Sequence, residues 1–273
     1  MADDGTARAA DRGVLRVCAD PNNMPFSNAN GDGFENKLAE LVAAELGKDV
    51  AYTWATQDGG FIGDTLRARR CDVIVGVPDQ FRPVAVTRPY YWSSYVLVSR
   101  ADRGLRDVTS LKDHRIRNLK IAVPSIGGNK LFSPPAQVLN ALKLDDRIVA
   151  YPIDGADDAR IVDAVVRGDV DMAALWGPAA GYFVQHSPVP LVMTMIGDTD
   201  EFSSRKTHLR LLGLQFEIGM GVRPTDHALR QQLDGVIARK QPEISALLKR
   251  FGVPLIEPAR LAGAARSDDG RAE

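Results

Sequence analysis

Cys18 and Cys71 are the only thiols in the chain, and they show no CxxC spacing. The four histidines, His114, His186, His208 and His227, are scattered, so no zinc-type ligand set comes together and no metal ligand is assigned. Both cysteines lie in apolar runs, VLRVCA and CDVIVGV, rather than in the basic, exposed setting that makes a thiolate reactive. They read either as reduced core thiols or as one disulfide. Asp154, Asp157 and Asp158 form a small acidic cluster. It suits a helix N-terminus, and it offers too few oxygen ligands for a hard cation. GxSxG, HExxH and a spaced carboxylate pair are all missing, so no catalytic residue is assigned. Ser125–Asn129 (SIGGN) reads either as a plain turn or as a set of N–H groups for an anion. Tyr90, Trp92 and Tyr95, with Tyr91 among them, either cover a core edge or offer a protein contact. The chemistry these residues suggest is recognition.

The elements that must hold them alternate. Val14–Ala19 is a short apolar strand followed by a turn-rich stretch to Gly33. Phe34, Leu38, Leu41, Val42 and Leu46 recur at helical spacing, and Gly47 stops the helix. Val50–Trp54 predicts a strand, Phe61–Arg70 a helix, and Cys71–Val77 a strand buried on both faces. This is a βαβαβ series, the mark of a parallel sheet with crossover helices. Tyr91–Ser99 is extended. A second series runs from Leu119–Val123 through a helix near Lys130–Leu142, strand Ile148–Ile153, helix Asp157–Arg167, strand Met172–Trp176 and helix Pro178–Gln185. Leu191–Ile196 and Leu214–Val222 are strand-like, with a polar, irregular passage Asp198–Leu212 between them. Two helices, Asp226–Lys240 and Pro242–Arg250, close the chain, with Pro242 at a helix start and Gly252 past its end.

With 273 residues the chain holds one large domain or two modest ones. Its 34 Lys+Arg nearly cancel its 35 Asp+Glu, so nothing points to a nucleic-acid partner. The longest apolar run falls short of the roughly 18 residues of a membrane span. Residues 1–13 and 263–273 are small and polar and predict disordered ends, with Met1–Arg12 reading as a mature N-terminus behind a start methionine.

The order of landmarks is specific: CADPNNMPF, GFENKLAELVAAELG, LRARRCDVIVGVP, TRPYYWSSYVLV, KIAVPSIGGNKL and VVRGDVDMAALWGPAAGYF. From Val14 to Glu257 it resembles the periplasmic solute-binding proteins of the polar amino-acid class. More narrowly, VCADPNNMPFSN, RCDVIVGVP, TRPYYWSSYV, LWGPAAGYF and ISALLKRFGVPL resemble the J proteins of methanol-oxidation operons, the MxaJ and XoxJ type. The resemblance implies a two-lobed α/β fold of the periplasmic binding-protein kind. Each lobe is a mostly parallel sheet flanked by helices, and two crossing strands form the hinge. Lobe one is expected to hold 14–100 plus 212–262, and lobe two 101–211. It further implies a periplasmic location and a PQQ methanol dehydrogenase as partner, of the lanthanide type. The protein is expected to be monomeric, to need no cofactor and to act by recognition. The alternative is a transporter-linked receptor for a small non-zwitterionic solute.

Amino-acid binders of this class clamp the ligand carboxylate with an arginine. That position falls here on Gln80, and Arg82 lies two residues later. The aspartate that would hold the ammonium corresponds to Trp176, which cannot neutralise a charge. The cleft candidates are Asp20, Asn23, Phe26, Trp54, Arg82, Tyr91, Ser94, Ser125, Asn129 and Trp176. Phe26 and Trp54 follow strand ends, where they either pack or face the crevice. Asp20, in an Asp-Pro turn, either braces its own loop or faces the ligand. Export favours a Cys18–Cys71 disulfide across neighbouring strands of a 2-1-3 sheet. The difficulty is register, since Cys18 comes late in its strand and Cys71 early.

Overall fold

A computed structural model describes residues 13–79, 81–125, 129, 131, 133–152, 158–197 and 213–257. The first series is built as β1 (Val14–Ala19), α1 (Phe34–Glu45), β4 (Asp49–Trp54), a single wide helical turn at Gly63–Arg67 and β5 (Val73–Pro78). A two-stranded hairpin, β2 (Asn22–Asn23) and β3 (Ser27–Asn28), fills the turn-rich stretch before α1. β1 pairs in parallel with β4 on one side and β5 on the other, the expected 2-1-3 order.

β7 (Tyr91–Arg100) is the element that makes two lobes out of one chain. Its first residues, Tyr91–Ser94, pair with β12 (Gln215–Val222), which also pairs with β5; the short strand β6 (Ala85–Val86) adds to β12. Its remaining residues pair with β10 (Met172–Trp176) on one side and β11 (Leu191–Met195) on the other. The second sheet continues through β8 (Ile121–Ser125) to β9 (Ile148–Pro152), in parallel with β10. The overall order is β4-β1-β5-β12-β7-β10-β8-β9. Helices α2 (Pro134–Ala141), α3 (Asp158–Arg167) and α4 (Gly177–Gln185) cover the second sheet, and α5 (His227–Arg250) returns to pack on α1.

The central strands of both sheets are buried on both faces, which is why β5, β8 and β10 read as continuous apolar runs. On one face of the first sheet Leu15, Val17, Val73 and Val75 pack with Phe34, Leu38, Val236 and Ile237. On the other, Cys18, Ile74 and Val77 pack with Phe61 and Leu66. Two further clusters do the same for the second sheet, around Ile121, Leu139 and Met172 and around Ile161, Val165 and Leu175.

Four elements differ from the sequence reading, the first being the helix expected over Phe61–Arg70, which is the one wide turn at Gly63–Arg67. The closing pair of helices is one helix, α5, with Pro242 inside it. Proline removes one hydrogen bond there, but Leu233, Val236 and Ile237 before it and Ile244, Leu247 and Leu248 after it bury in one core, which carries the helix across. The second-lobe helix starts at Pro134 rather than Lys130, because Pro134 and Pro135 fit only a first turn. Cys71 lies just ahead of β5, not on it. That frees its Cα from strand register, and Cys18 and Cys71 form a disulfide with Cα atoms 5.4 Å apart. Beside it, Arg223 bonds the Cys71 carbonyl and pairs with Asp72 at 2.9 Å and Asp226 at 2.7 Å, while Arg16 reaches Asp72 at 2.6 Å. Burial pushes the Asp72 carboxyl up, and the hydrogen bonds of Arg16 and Arg223 outweigh it, holding it below its ordinary value. The ends of the chain, Gln80, the Gly-Gly turn at 126–128, Asp154, Asp157 and the passage 198–212 lie outside the described residues.

Candidate functional site

A cavity of about 390 Å³ opens between the lobes, at the carboxyl end of β5, where open α/β sheets place ligands. The first lobe contributes Asn23, Phe26, Glu35, Gln57, Gly76, Pro78, Phe216 and Ile218; β7, the strand that joins the two sheets, contributes Tyr91 and Tyr95; the second lobe contributes Pro134 and Trp176. The wall is mainly apolar, with five aromatic rings, and no Lys, Arg or His lines it among the described residues.

The lobe-one wall is set by how the β2–β3 hairpin docks on α1. The free N–H groups of Phe34 and Glu35 donate to the carbonyls of Pro25 (2.9 Å) and Phe26 (2.8 Å). The buried Asn36 side chain accepts from Gly33 (3.2 Å) and Asn28 (3.0 Å). Gly33 is required at this junction, since a Cβ there would stand 2.1 Å from the Phe26 oxygen. The docking fixes Phe26 and Glu35 side by side on the cavity wall. On the other wall, β7 and β10 pair Tyr95 with Trp176 directly. Tyr95, Trp176 and Phe216 form a triangle of edge-to-face rings, with centroids 5.4, 5.7 and 6.5 Å apart.

Glu35 is the residue that sequence reasoning missed. Its carboxyl lies over Gly76 of β5 so closely that a Cβ on Gly76 would sit 2.1 Å from the Glu35 oxygen. No hydrogen-bond donor to it is present among the described residues. Burial among apolar groups pushes it up to about 7. The same burial raises Tyr91 and Tyr95, with Glu35 adding to the rise at Tyr91 and Asp158 to that at Tyr95. An acidic residue in a first helical turn ordinarily reads as a complement to the dipole. The one sequence signal was the lone glycine inside the CDVIVGV run, a mark of close approach.

The other candidates divide. Asn23, Phe26, Tyr91 and Trp176 line the cavity, with Asn23 Nδ2 bonded to Gln57 Oε1 at 2.8 Å. Tyr95, expected on a protein-contact surface, faces this cavity instead. Tyr90, expected beside it, is core: it is 1% exposed and its hydroxyl donates to the Val75 carbonyl. Asp20 is a brace, accepting from the backbone of Asn22 and Gln57 at 2.8 Å each. Ser94 is buried in the hinge, where its hydroxyl reaches the carbonyls of Tyr95 (2.7 Å) and Ile196 (3.0 Å). Trp54 stacks on Tyr52 of its own edge strand, at 4.5 Å. Arg82 is exposed, Ser125 ends β8 and Asn129 accepts from the Leu131 N–H, all away from the cavity lining. Trp92 is partly buried beside a second hollow of about 420 Å³, with Pro89, Lys249, Leu255 and Ile256.

Two lobes, a hinge strand and a cleft between them define a binding protein. The chain belongs to the bacterial extracellular solute-binding proteins, family 3, whose pattern matches residues 15–253. Within that family it is MxaJ/XoxJ-like. It is 30% identical to protein MoxJ of Methylorubrum extorquens over 92% of this chain and 84% of that one. The crystal structure of MxaJ from Methlophaga aminisulfidivorans MPT superposes with a TM-score of 0.75 at 28% identity, covering 89% of this chain and all 100% of that one. The crystal structure of the periplasmic binding protein XoxJ from Methylobacterium extorquens AM1 gives a TM-score of 0.71 at 36% identity, over 89% and 99% of the two chains. No helix among the described residues is long and apolar enough to cross a membrane.

Proposed function

We propose that this chain is a periplasmic accessory protein of methanol oxidation that works by recognition and serves a PQQ-dependent methanol dehydrogenase of the lanthanide type. Lobe one comprises 14–100 with 212–262, and lobe two 101–211. The likeness to MoxJ, MxaJ and XoxJ along nearly the whole chain carries this reading. The cleft supports it by what its wall is made of. Trp176 stands where an amino-acid receptor needs an aspartate, and Arg82 is exposed and away from the cavity. A free amino acid would therefore leave its carboxylate unpaired in the cleft, since no Lys, Arg or His lines it among the described residues, and an unpaired buried charge costs several kcal/mol.

The partner surface is tested at Trp92, the aromatic of the Tyr90–Tyr95 run that neither fills the core nor lines the cleft. Purified protein is passed over immobilised dehydrogenase, and Trp92→Ala is compared with the native chain. The expected result is association that the variant weakens about tenfold or more, as for an interface anchor, with Tm nearly unchanged. A variant that melts many degrees lower would make Trp92 a core residue. No association by the native chain, with tight binding of a small solute instead, would favour the transporter-linked receptor.

A further inference from the structure

We infer that the cleft is a site for a small organic cation, a methylated or quaternary ammonium compound, held between the Glu35 carboxylate and the Tyr95, Trp176 and Phe216 rings. This inference does not rest on the dehydrogenase partnership. Three observations carry it. First, the cavity is built around one carboxyl that has no partner among the described residues, and the sheet makes room for it by having glycine at position 76. A carboxylate half-buried among apolar groups without a counter-charge is costly, so a cation entering the cavity supplies what the fold leaves out. Second, the wall beside it is aromatic on both lobes: Phe26 and Tyr91 with Phe216 on one side, Tyr95 and Trp176 on the other. Ring faces attract a cation, and a methylated ammonium also buries its methyl groups against them at little desolvation cost. Third, Glu35 is the one charged side chain among the described residues of the lining. No basic side chain lines the cleft among the described residues, and Asp158 at the start of α3 lies close enough to act on Tyr95. Among the described lining residues an anion, or the carboxylate of a zwitterion, finds no positive charge to pair with.

The groups that titrate around the site are few. Tyr90, just before β7, and Tyr91 at its start face Glu35, Tyr95 faces the cavity from further along β7, and Asp158 stands beyond Tyr95. All three tyrosines remain protonated in the working range, since burial raises each of them. Occupancy is therefore expected to follow the ionisation of Glu35, strengthening as pH rises through neutrality.

The test is calorimetry and tryptophan fluorescence on the full chain. Choline is compared with its uncharged carbon isostere, dimethylbutanol, which has the same shape without the charge. Saturable binding of choline is expected, with the isostere at least about 30-fold weaker, the scale of a desolvated cation–π contact. Glu35→Gln keeps the shape of the wall and should weaken choline tenfold or more. Trp176→Leu keeps an apolar surface without the ring and should do the same, which separates cation recognition from simple apolar burial. Circular dichroism confirms that each variant is folded. Equal binding of choline and the isostere would overturn the inference, as would unchanged binding by both variants. So would no saturable response to choline, trimethylammonium or tetramethylammonium at millimolar concentration.

Discussion

The cleft shows how unevenly single residues announce themselves. Phe26, Tyr91 and Trp176 were legible because they end or open strands, and strand ends face the crevice in this architecture. Asp20 and Trp54 sit at strand ends too, and Ser94 lies within β7, yet their side chains are taken up by the protein itself, by backbone N–H groups, a neighbouring ring and hinge carbonyls. What decides between the two is the local supply of partners, and a one-dimensional pattern does not carry it. Glu35 is the converse case, a residue of ordinary type at an ordinary helix position whose surroundings make it unusual. Its burial has a measurable consequence. The unfolded carboxyl titrates near 4.5 and the folded one near 7. Between these values the folded chain keeps a proton that the unfolded chain releases, so stability declines as pH rises through that window and levels off above it. The total is at most about 3 kcal/mol. Glu35→Gln should abolish that decline and melt higher than the native chain at about pH 8, with the gap closing by about pH 5. Parallel melting curves for the two proteins at both pH values would contradict it.

At the scale of elements the sequence was a good guide wherever burial on both faces forces a continuous apolar run, as in β5, β8 and β10. It was a poor guide where one element does two jobs. β7 reads as a single extended run, YWSSYVLVS, and nothing in its composition says that its first part belongs to one sheet and its second to another. α5 reads as two helices because Pro242 interrupts the pattern, and only the common core on both sides of the proline makes it one. The disulfide turns on a similar detail. By strand register alone Cys71 would have been out of place; lying in the bend before β5, it reaches Cys18. The bridge closes a loop with a sequence separation of 53 residues around β4 and the wide helical turn. Closing a loop of that length stabilises a fold by about 4 kcal/mol in the chain-entropy view. Reduction, or the double change Cys18→Ala and Cys71→Ala, should therefore lower Tm by about ten degrees in a chain of this size. Thiol titration of the unfolded, unreduced protein should find none; two free thiols would remove the bridge and the prediction with it.

Across the whole molecule the two lobes are held by more than the hinge strand. The chain leaving α5 runs against α4 of the second lobe at two glycines. A Cβ on Gly181 would stand 2.0 Å from the Gly252 carbonyl oxygen, and Gly252 itself has a φ of 72°, the left-handed turn that ends α5. Gly177 comes equally near Pro254 and the Ser94 carbonyl, so the same contact abuts the hinge. Aromatic rings connect it to the cleft in sequence: Tyr182 stacks on Phe251 at 6.0 Å, Phe251 meets Phe34 at 5.8 Å, and Phe34 meets Phe26 of the cavity wall at 5.2 Å. A lobe rotation would have to break or slide this backbone-to-backbone approach. Gly181→Ala tests that contact. The added methyl cannot be absorbed by a flexible side chain, because the atoms it meets are backbone. Overpacking of this kind costs about 1–3 kcal/mol, or roughly 2–4 °C of Tm for each kcal/mol in a chain this large. Small-angle scattering should show a changed radius of gyration for the folded variant, because the lobes must re-seat to accommodate the methyl. Gly63→Ala, where a Cβ meets nothing within 4 Å, should leave the scattering profile unchanged. A Gly181→Ala protein with the native Tm and the native scattering curve would show that the lobes are positioned by the hinge strand alone.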